Sequence, residues 1–367
     1  MKIAFFVSKL SKGGAERKMS YLANVCAQDE KNTAFLLVLD KSVKQLDIDS
    51  RIQTIQIGNG ISKKSSILDI NKRIKDLRQF MIEEMPDVIL CFAPSYAVYT
   101  VIARGKRLST KIVCSVNYNP FFRKLKKGGL YELAEKFFLS KIDGFTFETI
   151  GAQSYYPQSI QDKSVVIPNG LIASDLPETV VPFNARNQKK ICAVGRLSSV
   201  KDYPTMLSAF TAFHETHSDY SLDIYGEGEE REALQKLIDE LGLKSHIKLQ
   251  GNRNNVVSII STYGIYIGTS ISEGWSLSLL EAMACGLPCI FSDCDFGPRN
   301  MIVNGESGIL VQVGDINGFA NALKSIADNQ ILAEKFANNA LYVREKFSGQ
   351  RMYDSTMEFI NKVVSSN

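Results

Sequence analysis

Gly264–Ser292 reads GIYIGTSISEGWSLSLLEAMACGLPCIFS. The opening run GIYIG is short, apolar and of strand type. Ser272 to Ser276 is polar and glycine-bearing, which suits the loop before a helix. Leu277 to Ala284 is rich in strong helix formers, and Gly286 with Pro288 stops the helix before the next strand, LPCIFS. A strand, a helical segment and a second strand are the repeat unit of a parallel sheet flanked by helices.

The same alternation extends outward in both directions. KICAVG, SLDIYG and HIKLQG precede the stretch and SGILV follows it. The first half of the chain repeats the pattern as IAFFV, TAFLLVL, RIQTIQI, DVILCF, KIVCSV and GFTFET. A last run, SVVIP, ends at the turn signal Asn169-Gly170. Residues 173–188 carry two prolines and no sustained period, so a linker is expected there. A chain of 367 residues exceeds the size of one hydrophobic core, so two domains are the default. The expected architecture is α/β: two Rossmann-like, doubly wound parallel sheets, 1–172 and 189–345, facing across a cleft. The segment from about 330 to 364 reads as two helices, and 346–367 as a C-terminal helix free to return to the N-terminal domain.

Composition narrows the function. Hydrophobic residues at 45% and charged residues at 22% are ordinary for a globular protein. Seven cysteines, an odd number without CxxC spacing, form no disulfide framework. Cys26, Cys91, Cys114 and Cys192 sit in apolar runs and read as small core residues. His214, His217 and His246 lack zinc-ligand spacing. A net charge of +4 without a recognisable module does not point to nucleic acid. The apolar run Ile3–Val7 is too short for a signal peptide, and Ala34–Leu39 is far short of a membrane span. A cytoplasmic location is expected, with a surface contact at the inner face of the membrane left open.

In open α/β sheets, ligands bind at the carboxyl ends of strands. Glu273 sits just before the helix Leu277–Ala284 and Glu281 within it. Eight residues of continuous helix would separate them by roughly 12 Å, about the span from the sugar to the ribose of a nucleotide sugar. Free amides at the helix start would face a diphosphate between them. A single Glu at a helix start is common for structural reasons, so the helix alone does not decide the matter. In AVGRLSSVKDYP a strand ending at Gly195 delivers Arg196, and Lys201 follows in the loop before a new helix. An Arg fork and a Lys point charge suit a diphosphate leaving group, whose charge grows as the sugar–phosphate bond breaks.

GR-x4-K followed by E-x7-E with the tail EAMACGLP resembles the retaining GT-B glycosyltransferases of family four. The resemblance extends through LDIYGEGEER and GPRNMIVNGESGILV, and more loosely to the opening strand and SKGGAER. It implies a hexosyltransferase that moves a hexose or N-acetylhexosamine from a nucleotide sugar, UDP-linked by family frequency. The acceptor would be a glycan or lipid-linked glycan in capsule, exopolysaccharide or other cell-surface polysaccharide synthesis. Carried over residue by residue, Arg196 and Lys201 hold the donor diphosphate, and Glu281 accepts hydrogen bonds from the ribose. Glu273 contacts the transferred sugar, and the backbone near Arg253 lies by the base. Glu273, Arg196 and Lys201 are the catalytic set. The resemblance also implies no metal and no cofactor, with the donor phosphate helping to deprotonate the acceptor.

Gly13-Gly14 opens the first strand-to-helix loop. Glycine permits close approach to phosphate, and the resemblance sets Gly14 against the donor pyrophosphate or the acceptor. An ordinary turn is the competing reading, and GxGxxG is absent. Many relatives carry His after the fifth strand where this chain has Asn117, an acceptor-side candidate with Gly13. An Asn can hydrogen-bond a sugar but cannot shuttle a proton, and a turn-forming Asn before Pro120 is equally open.

Asp47/Asp49 and Asp293/Asp295 match DxD by chance frequency and carry no metal assignment. FFRKLKKGGLYELAEKFFLSK has six basic and two acidic residues with interleaved Phe, which suits either an anionic bilayer surface or a docked helix with solvated lysines. Two other classes stay open: a nucleotide-sugar 2-epimerase, which would turn over donor without acceptor, and a non-catalytic partner that only binds a nucleotide sugar.

Overall fold

The computed structural model describes residues 1–11, 13–61, 67–117 and 137–366. The chain divides into two compact units, Met1–Gly170 with Gly349–Asn367, and Leu171–Ser348.

The first unit holds a parallel sheet of seven strands: β1 Lys2–Leu10, β2 Thr33–Lys44, β3 Gln53–Gln56, β4 Val88–Cys91, β5 Lys111–Val116, β6 Gly144–Phe147 and β7 Ser164–Val166. Their order is β3-β2-β1-β4-β5-β6-β7. The second unit holds six: β8 Asn187–Val194, β9 Ser221–Tyr225, β10 Ile247–Gly251, β11 Tyr263–Gly268, β12 Cys289–Ser292 and β13 Ile309–Val311, in the order β10-β9-β8-β11-β12-β13. Every run read above as a strand is one.

Both sheets are buried on both faces, which is why their strands read as nearly continuous apolar runs. In β1, Ile3, Phe5 and Val7 join one core cluster while Ala4 and Phe6 join the cluster on the opposite face. In β8 and β11, Ile191, Ala193, Ile265 and Ile267 face one core, and Cys192 and Tyr266 face the other. All seven cysteines are buried. Burial pushes the Cys91 thiol up to about 12, so it packs as a small apolar group.

The end of the chain forms helices Gln330–Ala340 and Gly349–Ser365 with a short turn, Val343–Lys346, between them. Helix Gly349–Ser365 belongs to the first unit. Its Met352, Phe359, Ile360 and Val363 share a core with β1. Gly144 on β6 gives the room for it, since a Cβ there would lie 2.9 Å from both Phe359 Cζ and Val363 Cγ2. Ile360→Ala, at a fully buried site, is expected to cost the first unit about 2–5 kcal/mol. Urea denaturation measures the loss.

Among the described residues no helix is long and apolar enough to cross a membrane. The basic stretch 121–141 lies largely outside the described residues, including Lys124, Lys126 and Lys127. At its described end Phe138 packs against the core, while Phe137 is exposed with Lys141 over its ring.

Candidate active site

In both sheets the strand order reverses once, between β1 and β4 and between β8 and β11. Such switch points open a crevice at the carboxyl ends of the two central strands. In the second unit the loops leaving β8 and β11 carry Arg196 with Lys201, and Glu273. The structure brings two of these together: Lys201 Nζ donates to Glu273 Oε1 at 2.6 Å across 72 residues of sequence. Ser270 Oγ donates to the same carboxylate oxygen at 2.7 Å.

Several contacts knit the two loops. Thr269 Oγ1 donates to the carbonyls of Lys201 (3.0 Å) and Asp202 (2.8 Å). Ile271 N–H donates to the carbonyl of Val200 at 2.8 Å. The stem of Lys201 lies along Gly195, where a Cβ would be 3.3 Å from Lys201 Cε. The Tyr203 hydroxyl donates to the Gly195 carbonyl at 3.1 Å. Burial pushes the Tyr203 phenol up, and the Glu273 carboxylate adds to the effect. Arg196 follows Gly195 directly and is exposed.

The glycines of YGEGEER have a structural cause. Gly226 lies at φ +141°, and a Cβ on it would sit 1.9 Å from the Gly195 carbonyl oxygen. A Cβ on Gly228 would sit 2.1 Å from the Leu197 carbonyl oxygen. The loop after β9 therefore lies backbone to backbone against the strand end that presents Arg196. Gly226 N–H also donates to the Gly251 carbonyl at 3.0 Å, which ties in the end of β10 two residues before Arg253. Arg253 is exposed.

Helix Leu277–Ala284 starts where the sequence sets it, and no side chain caps its first turn. Residues 273–276 are not helical, so the separation of Glu273 and Glu281 is not eight residues of continuous helix. Glu281 is buried within the helix. Among the described residues, Met85, Asp202 and Phe296 are the non-glycine residues with positive φ. Asp202 follows Lys201, and Phe296 forms a backbone bridge with Glu273. Strain of this kind persists where surrounding structure over-determines it, and functional sites are where it gathers.

The acceptor-side candidates lie in the first unit. Gly14 opens helix Gly14–Gln28 behind Gly13, which contributes no side-chain cap. The helix start is faced by the chain's own anion: Glu16 accepts from Ser8 Oγ at 2.8 Å, and its Oε2 would be 2.3 Å from a Cβ on Gly13. Asn117 directly follows β5 and is half-buried. Its Nδ2 donates to the carbonyls of Ser115 (3.0 Å) and Phe92 (3.4 Å), and its Oδ1 accepts from Lys18 Nζ at 3.0 Å. Lys18 also faces Glu148 at 3.9 Å. Neither partner was visible in the sequence, where charged residues on a helix and after a strand read as surface.

Asp293 is paired with Arg299, and Asp49 with Arg51, so each DxD pattern has an ion-pair partner. No group of three or more His, Cys, Asp or Glu among the described residues could hold a metal.

Residues 179–342 match the sequence profile of the family described as "Glycosyl transferases group 1". The chain carries a glycosyl transferases group 1 domain. That domain spans the strand-end loops just described, including Arg196, Lys201, Glu273 and Glu281. Over 303 residues the chain is 24% identical to the poly(glycerol-phosphate) alpha-glucosyltransferase of Bacillus subtilis, covering 82% of this chain and 42% of that protein. The chain thus spans less than half the length of the first relatives it matches. Over 371 residues it is 22% identical to a 4-alpha-N-acetylgalactosaminyltransferase of Campylobacter jejuni named for a diphospho-undecaprenol-linked glycan, covering 98% of this chain and 99% of that protein. The solved structure of HepE from Anabaena in complex with UDP matches at a TM-score of 0.79 and 17% identity, over 99% of this chain and 100% of that one. The group 1 domain and the seven-stranded unit together make a GT-B fold.

Proposed function

We propose that the protein is a retaining hexosyltransferase. It moves a hexose or N-acetylhexosamine from a UDP-linked donor to a glycan or lipid-linked glycan in cell-surface polymer synthesis. The observation that carries the reading is the Lys201–Glu273 ion pair at the β8/β11 switch point, with the uncapped helix start four residues further on. Relatives named as transferases acting on poly(glycerol-phosphate) and on a diphospho-undecaprenol-linked glycan support the acceptor class.

In this reading the donor diphosphate enters between Arg196, Lys201 and the amides at the start of helix Leu277–Ala284, replacing Glu273 as the partner of the Lys201 ammonium. Glu273 is then free to accept a hydroxyl of the transferred sugar, while Glu281 accepts from the ribose and Arg253 lies by the base. The bond from the anomeric carbon to the phosphate oxygen breaks, and its electron pair goes to that oxygen. The acceptor hydroxyl forms the new bond from the same face and passes its proton to the departing phosphate. Arg196 and Lys201 stabilise the charge that appears there. No metal or cofactor is assigned a part.

The test is a screen of UDP-, GDP- and ADP-sugars for nucleotide release with a membrane lipid extract as acceptor. UDP release that depends on the extract, with an α-linked product by NMR, is the expected result. Conversion of donor without acceptor would replace the reading by an epimerase, and silence with every donor would refute it.

A further inference from the structure

The seven-stranded unit holds a buried charged group that the donor chemistry does not use. Lys18, on the second turn of helix Gly14–Gln28, is 4% exposed, and Glu148, just after β6, is 5% exposed. Their charged atoms stand 3.9 Å apart. Lys18 Nζ also donates to Asn117 Oδ1 at 3.0 Å. Burial lowers the Lys18 ammonium's affinity for its proton, and Glu148 partly restores it. Desolvating such a pair costs more than a well-packed apolar pair would, so stability alone does not account for it.

The position of the cluster gives it a use. Asn117 lies just past β5, Phe92 just past β4, and Glu148 just past β6: Asn117 bonds the first two of these strand ends together, and Lys18 faces both Asn117 and Glu148. β4 borders the β1/β4 switch point and β5 and β6 follow it in the sheet, at the ligand-binding end of a doubly wound sheet. An Asn amide has two ends that differ only by their partners. Here the Lys18 ammonium, a donor without acceptor capacity, fixes Oδ1 towards the helix and so leaves Nδ2 towards the Ser115 and Phe92 carbonyls. Glu148 compensates the charge that does this.

We propose that Lys18 and Glu148 are positioning residues: together they lock the Asn117 amide and the β4–β5 strand ends in the one arrangement that receives the acceptor hydroxyl. This rests on the transferase reading for its consequence, but not for its geometry.

The first experiment reads the lock itself. In protein labelled at asparagine, the Asn117 side-chain amide, assigned with Asn117→Asp, is expected to exchange slowly with solvent. Slow exchange should be lost in the paired variant Lys18→Met/Glu148→Leu, which removes both charges. Glu148→Gln is the milder second variant, and it should give an intermediate rate. The second experiment reads the consequence, with UDP affinity by calorimetry beside UDP release driven by a membrane lipid extract. The paired variant should bind UDP as the parent does, yet transfer at least about tenfold more slowly at a given extract concentration, with the half-saturating concentration of extract raised. An unchanged Asn117 amide in both variants overturns the proposal whatever the enzyme does. A relaxed amide with unchanged transfer also overturns it, since the pair would then be purely structural. A parent protein that neither binds nor releases UDP defeats the transferase reading instead, and the amide measurement still decides the positioning claim.

Discussion

Lys201→Ala is expected to lower sugar transfer by about 10²–10³-fold, the loss that follows removal of one charge-stabilising donor from a preorganised site. Lys201 is the cation that the loop after β8 holds against the loop after β11, with its ammonium 2.6 Å from Glu273 and its stem along Gly195. Charge on the departing phosphate grows only as the bond breaks, so the loss should fall mainly on kcat. Stability changes little by comparison. The pair is half-buried, and Ser270 still donates to Glu273 once the ammonium is gone, so about 1 kcal/mol is the expected scale. Single-turnover kinetics beside a thermal melt separate the two effects. A variant that folds and transfers within about threefold of the parent would remove Lys201 from the reaction.

Gly226→Ala should be the most damaging single methyl in the group 1 domain. The added carbon would stand 1.9 Å from the Gly195 carbonyl oxygen and 2.8 Å from its carbon, and φ of +141° is a region that side chains rarely enter. Neither obstacle is the mobile end of a side chain, so the loop after β9 must part from the end of β8. Backbone strain and the broken Gly226–Gly251 hydrogen bond together cost about 3–5 kcal/mol. In a unit of this size the melting midpoint should fall by roughly 10 °C. The moved strand end carries Arg196, so UDP affinity should fall as well. A midpoint within about 2 °C of the parent would mean that the loop yields without resistance.

Much of the fold was legible because both sheets are parallel and buried on both faces. That burial makes strands such as IAFFV and KICAVG stand out as short apolar runs between amphipathic helices. Helix Leu277–Ala284 was legible to its ends, since Gly286 and Pro288 leave it no continuation. Spacing was a weaker guide. Glu273 and Glu281 are eight apart, but half of that interval is loop, held by the bridge between Glu273 and Phe296. That bridge depends on a positive φ at a bulky residue, which no propensity announces.

Long-range polar pairing was not legible at all. The Lys201–Glu273 contact spans 72 residues, and nothing in either segment shows that the two charges meet each other. Lys18 and Glu148 left no trace, because a lone charge on a helix normally faces water. Asn117 was singled out where relatives carry His. Its amide, however, is spent on Lys18, Ser115 and Phe92, so the residue acts by holding strand ends together.

A calorimetric titration of UDP into the parent protein and the Lys201→Ala variant tests the central claim most directly. The account predicts saturable one-to-one binding to the parent and binding at least about tenfold weaker to the variant, without added metal. Equal affinity in the two proteins, or no binding of UDP to the parent, would contradict it.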